Sequence, residues 1–105
     1  MVYEYVLDQP EISLTSSCDG VEENEGCSLT CRTTQSGNPT TVDSYTWIFN
    51  SKFSEFVLRT LHETSNTLVI GSAQYNDSGT YECVAHHEAG DVKPPSLSIN
   101  VSCKF

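Results

Sequence analysis

The chain has 105 residues, an apolar fraction of 37% and a formal net charge of -9. That length holds one hydrophobic core and not two, and the modest apolar fraction suits thin sheets whose strands alternate inward apolar with outward polar residues. Only 5 Lys and Arg stand against 14 Asp and Glu, which disfavours nucleic acid and anionic lipid, since both are held by phosphate neutralisation.

Residues 1–9 show no alternation and read as a tail or linker remnant. Pro10 then suits the start of an edge strand, where no ladder donor is missed. Ile12 and Leu14 begin an alternation that Asp19-Gly20 interrupts, predicting a strand over 10–16 and a short continuation near Val21. After the polar turn Glu22-Glu23-Asn24-Glu25-Gly26, Cys27-Ser28-Leu29-Thr30-Cys31 alternates cleanly into a second strand. Residues 33–44 are rich in Gly, Pro, Thr and Ser and form a loop. Tyr45-Thr46-Trp47-Ile48-Phe49 is a third strand, with Tyr45, Trp47 and Phe49 on one face and Thr46 and Ile48 on the other.

Between Phe49 and Asn66, the residues Phe53, Phe56, Val57, Leu58 and Leu61 fit a short strand or about two helical turns, and the flanking strand pattern favours the strand. Thr67-Leu68-Val69-Ile70 predicts a strand with Leu68 and Ile70 inward, followed by a corner over 73–79. A strand over 80–86 then points Tyr81, Cys83 and Ala85 inward and Thr80, Glu82, Val84 and His86 outward. Gly90 permits a hairpin, and Leu97, Ile99 and Val101 alternate along a last strand.

The run Asn76-Asp77-Ser78-Gly79-Thr80-Tyr81-Glu82-Cys83, taken with Cys31 and with Trp47 sixteen residues beyond it, resembles the signature of immunoglobulin domains. The resemblance covers residues 10–103, with 104–105 as the start of a C-terminal linker. It implies an all-β sandwich of two antiparallel sheets with about 7–9 strands. It also implies an inter-sheet disulfide between Cys31 and Cys83, with Trp47, Leu29 and Leu68 in the core and the Tyr81 hydroxyl tied back to backbone. Only 51 residues separate the two cysteines, leaving little room for the extra strand of a variable domain. Cys83-Val84-Ala85 with Gly90 is similar to the I-set ending, so the I-set and C2-set branches fit better. Two positions depart from the pattern. His87 stands where the I-set has the Asn that braces the hairpin after strand F, and Asn24 stands where many members have Gly.

Five cysteines in so short a chain point to an oxidising compartment. Their spacing gives no second pair to match Cys27 and Cys31, so no zinc site or other cofactor is expected. By the same resemblance, Cys27 takes an inward position at the foot of strand B and Cys103 one at the foot of strand G. A second bridge, Cys27 to Cys103, is therefore the first choice, with Cys18–Cys27 and Cys18–Cys103 as alternatives. Two glycosylation sequons are present, at Asn76 and Asn100, whereas the proline after Asn38 bars a third.

Family members often use the C, F and G sheet for contact, which here offers Ile48, Val84 and His86, with the loop His87-Glu88-Ala89-Gly90-Asp91 at the rim. His86 and His87, being adjacent on a strand, face opposite ways and do not chelate one ion together. Strand F has no outward arginine of the kind sialic-acid-binding relatives use, and Arg59 is a candidate partner for Asp77. No nucleophile elbow, HExxH or phosphate loop occurs, so no enzyme is expected. Met1 is followed by neither a leader nor a membrane-spanning run. The reading is an excised extracellular module of a multi-domain receptor that binds a protein, homophilic or heterophilic, beside neighbouring immunoglobulin-like domains. The alternative is a spacer that positions another binding domain.

Overall fold

The computed structural model describes residues 6–53, 58–61 and 65–102. Among the described residues seven strands follow in order: β1 (Glu11–Ser16), β2 (Cys27–Gln35), β3 (Ser44–Ser51), β4 (Leu58–Leu61), β5 (Thr67–Ile70), β6 (Gly79–His86) and β7 (Leu97–Ile99). They form two antiparallel sheets, one ordered β1-β2-β5 and the other β4-β3-β6-β7, which correspond to strands A, B, E and C', C, F, G. The weakly patterned segment after Phe49 therefore supplies a C' strand and not a helix: β4 pairs with β3, Leu61 opposite Trp47 and Leu58 opposite Asn50. Phe56 and Val57 lie outside the described residues.

Alternation on β6 is complete, buried and half-buried residues succeeding one another from Gly79 to His86. Its inward set meets Trp47 and Phe49 of β3 across the register Trp47↔Cys83 and Phe49↔Tyr81. Leu14, Leu29, Trp47, Phe49, Tyr81, Ile99 and Val101 are buried together, and Leu68 packs partly buried against them. Cys31 and Cys83 join the two sheets through this core, with Cα atoms 6.3 Å apart. The polar atoms of Trp47 and Tyr81 that enter it are both bonded, as burial demands. The Trp47 indole N–H donates to the Ser65 carbonyl at 2.9 Å, and the Tyr81 hydroxyl donates to the Asp77 carbonyl at 2.6 Å. The latter closes the corner before β6, where a short 3-10 turn (Tyr75–Asp77) is held by the Gln74 N–H donating to Asp77 Oδ2. Phe49 stacks on Tyr81 with centroids 4.7 Å apart.

The second bridge corrects the expected pairing: Cys27 is joined to Cys18 and not to Cys103. Register explains why. On β1 and β2, Leu14 faces Cys31, Thr15 faces Thr30 and Ser16 faces Leu29. Continuing that count two residues brings Cys18 opposite Cys27, and their Cα atoms stand 5.0 Å apart, within the usual reach of a disulfide. Between the two pairs the ladder begins to open. The Ser17 N–H still donates to the Ser28 carbonyl, but the Ser28 N–H is met by the Ser17 hydroxyl. This bridge lies within one sheet, whereas the expected one would have spanned two. Cys103 lies outside the described residues.

Beyond Cys18 the chain crosses to the other sheet's edge, where Glu22 pairs in parallel with Ser102, the expected A' continuation. Asn24 adopts a left-handed backbone with φ of 74°, a conformation Asn tolerates better than most residues, which accounts for its standing where relatives have Gly.

At the opposite end, residues 6–9 are more than a tail. Asp8 exchanges two backbone hydrogen bonds with Asn38, and the Asn38 amide donates to the Val6 carbonyl. Gly37 makes this approach possible, because a Cβ there would enter the backbone of Asp8, Gln9 and Pro10. The N-terminal segment and the β2–β3 loop are thus one structural unit.

Candidate recognition surface

The outer face of β4-β3-β6-β7 carries the side chains left over from the core. Ile48 and Val84 are half-buried there: Val84 lies opposite Thr46, and Ile48 opposite Glu82 and, on its other side, Thr60. Diagonal neighbours in such a register are close enough for Ile48 and Val84 to form one small apolar step. Polar groups frame it. His86 Nδ1–H donates to Asp91 Oδ1 at 2.9 Å and its Nε2 shares a hydrogen bond of 2.6 Å with the Thr46 hydroxyl, so one ring ties β3, β6 and the following loop together. Lys93 and Glu82 form an ion pair at 3.2 Å on the same face. Pairs this exposed contribute little to stability, but fix where charge is presented.

His87 is a correction. Expected at the rim, it is buried, only 6% exposed. The strand alternation that turns His86 outward turns His87 in, and its ring supplies the brace that Asn provides elsewhere. Nδ1 accepts from the Ala89 N–H at 3.0 Å, leaving Nε2–H to donate to the Pro39 carbonyl at 2.6 Å. One imidazole therefore holds the β6–β7 loop and pins it to the β2–β3 loop. We expect His87→Ala to cost about 2 kcal/mol, since two part-buried hydrogen-bonding groups lose their partner and a buried ring is removed. His87→Asn, long enough for the turn but not for Pro39, should recover part of that loss. Denaturant melts of the three proteins check both.

Of the other expected site residues, Glu88, Asn76 and Asn100 are exposed. Ser78, of the first sequon, is buried and its hydroxyl accepts from the Val101 N–H at 2.9 Å. The side chain of Arg59 lies outside the described residues, so its proposed pairing with Asp77 falls there too. Among the described residues no group of His, Cys, Asp and Glu is placed to hold a metal ion, and no helix is long and apolar enough to cross a membrane. Parity placed Ile48, Val84 and His86 on the outward face, and Asp91 was expected in the rim loop, but Lys93 was missed because it lies in a loop without periodicity.

A profile of the immunoglobulin domain family matches residues 9–87. The chain belongs to that family. Among solved structures, this immunoglobulin domain is similar to part of the full three-domain ectodomain of mouse nectin-like molecule 4. The identity is 26%, the TM-score 0.63, and the match covers 90% of this chain and 30% of that one. It is also similar in fold to the N-terminal four immunoglobulin domains of a Dscam1 isoform, at 17% identity and TM-score 0.60, covering 89% of this chain and 21% of that one. The second Ig-C2 domain of human Fc-receptor like A matches at 21% identity and TM-score 0.60, covering 90% and 99%. The chain thus spans about a third or less of the first two multi-domain relatives.

Proposed function

We propose that this immunoglobulin domain is an extracellular module of a multi-domain cell-surface protein and acts by protein recognition, without chemistry of its own. The observation that carries the reading is the outer face of β3 and β6, where Ile48 and Val84 lie half-exposed inside a hydrogen-bonded polar frame of Thr46, His86 and Asp91. An apolar centre with a pre-ordered polar rim is the anatomy that interfaces use. Two disulfides among the described residues fit an oxidising compartment, and similarity to a nectin-like ectodomain fits a place among neighbouring immunoglobulin domains. Whether the contact is homophilic or heterophilic is the finer question.

Ile48→Asp and Val84→Asp, made in the parent protein, should abolish its binding to partner or to itself while leaving thermal unfolding of the domain nearly unchanged. A spacer that positions another binding domain is the second reading. It is favoured by the end of the sandwich where residues 6–9, the β2–β3 loop and His87 are bound into one piece, a firm seat for an adjoining module. Under that reading both aspartate variants bind normally, and Gly37→Val, which prises the N-terminal segment away, impairs binding instead. Sedimentation equilibrium of the wild type and the three variants, with a cell-aggregation assay of the parent, separates the two.

A further inference from the structure

The foot of the same sheet face carries a recess that the recognition surface does not use. Asn50 on β3 lies opposite Thr80 on β6, and Thr80 lies opposite Ser98 on β7, so three short polar side chains form one row across three strands. Among the described residues their side chains make no hydrogen bond. With Lys52 and Asn100 as walls they line a hollow of about 390 Å³, a volume within the range of small-ligand sites. Asn100 is the acceptor of the sequon Asn100-Val101-Ser102, and it is held at both ends: its carbonyl accepts from the Gly20 N–H at 3.1 Å, and its side-chain Oδ1 accepts from Lys52 Nζ at 3.2 Å. Lysine only donates, so the amide oxygen must face it and Nδ2, the atom that bears a sugar, takes the other side of the planar group. Lys52 in turn stands 5.9 Å from the Phe53 ring, which is half-exposed and packed at 4.8 Å on the exposed Tyr75.

We infer that Asn100 carries an N-linked oligosaccharide whose first sugar is seated in this recess, its hydroxyl and acetamido groups bonded to Asn50, Thr80 and Ser98. Attachment forms a bond between sugar C1 and Asn100 Nδ2 and breaks the C1–O bond of a lipid-linked oligosaccharide pyrophosphate. The lipid pyrophosphate leaves, and one amide proton is released. The attachment rests on the extracellular reading above, while the seat rests on geometry alone. Asn76 is exposed on its short turn. The consequence for the face is a division of labour, with sugar over Asn50, Thr80 and Ser98 and the half-face of Ile48, Val84 and His86 left open.

The test is expression of the parent protein in a secretory eukaryotic host, followed by peptide mapping at Asn100 and by native-state cleavage with an endoglycosidase that cuts between the first two sugars. Occupancy of Asn100 is expected. Cleavage there should be about tenfold slower on the folded protein than on the denatured chain, the effect of one or two hydrogen bonds, and Ser98→Arg, which fills the recess, should abolish that protection. A protein secreted with its disulfides formed but bare at Asn100 overturns the inference and leaves the extracellular reading standing. Equal cleavage of folded and denatured chains, or protection that survives Ser98→Arg, overturns the seat. Retention in the cytosol with free thiols overturns both readings together.

Discussion

Replacing Cys31 and Cys83 together by alanine should leave the domain unable to hold its fold at physiological temperature, whereas replacing Cys18 and Cys27 together should leave it folded and measurably weaker. The two bridges close loops of very different length, with sequence separations of 52 and 9 residues. In the chain-entropy account the first removes roughly 4 kcal/mol of denatured-state freedom and the second roughly 2.5 kcal/mol. The total stability of a small domain lies in the range of about 5–15 kcal/mol, so the first loss takes up to about four fifths of it and the second at most about half. Packing widens the gap. Cys31 and Cys83 are both fully buried and their removal opens a void beside Trp47, whereas in the other pair Cys18 is fully buried and Cys27 only partly so. Urea melts of both double variants, analysed for midpoint and slope, provide the measurement. Equal losses would refute the idea that the inter-sheet bridge dominates.

Trp47→Ala is expected to cost about 3–5 kcal/mol, the range for emptying a large aromatic site in a close-packed core. Trp47 is fully buried and faces Cys83 across β3 and β6, so the cavity would border the bridge itself. The Ser65 carbonyl would also lose the indole N–H that it accepts at 2.9 Å. Trp47→Phe separates the two effects, because it keeps most of the ring volume and deletes the donor. A loss near 1–2 kcal/mol is expected there, from one broken bond and a small void. Thermal melts with the Cys31–Cys83 bridge intact give both values. A Phe variant as unstable as the Ala variant would mean that the hydrogen bond, and not the packing, dominates at this site.

The two-sheet sandwich was legible because its signals are local or rest on period two: Leu68 and Ile70 on β5, and Tyr81, Cys83 and Ala85 on β6, all follow simple alternation. The partner of Cys27 was not legible by that rule. Parity says which face a cysteine takes, but both candidate partners satisfied it, and the choice was made by cross-strand register between β1 and β2. Once Leu14 is set opposite Cys31, Cys18 falls opposite Cys27 without further assumption. For His87 the alternation was available and pointed inward. Its adjacency to a loop made the rim look plausible, and only the Pro39 carbonyl, 48 residues distant in sequence, explains how a buried imidazole is satisfied. The row Asn50, Thr80 and Ser98 belongs to the same class. Each residue is unremarkable alone, and they become a floor only through pairing among three strands.

The placement of the two disulfides also sets how the domain answers a pull on its ends. Tension entering at residue 6 passes from Cys18 to Cys27 through sulfur, and from Cys31 to Cys83 through sulfur again. Residues 19–26 and 32–82 are bypassed, and only 6–18, 27–31 and 83–102 can lengthen before covalent bonds carry the load. Unravelled, the domain would still be a tether of bounded length, because the two bridges keep residues 19–26 and 32–82 out of the loaded path. Reduction of the Cys31–Cys83 bridge would turn it into a long, compliant one.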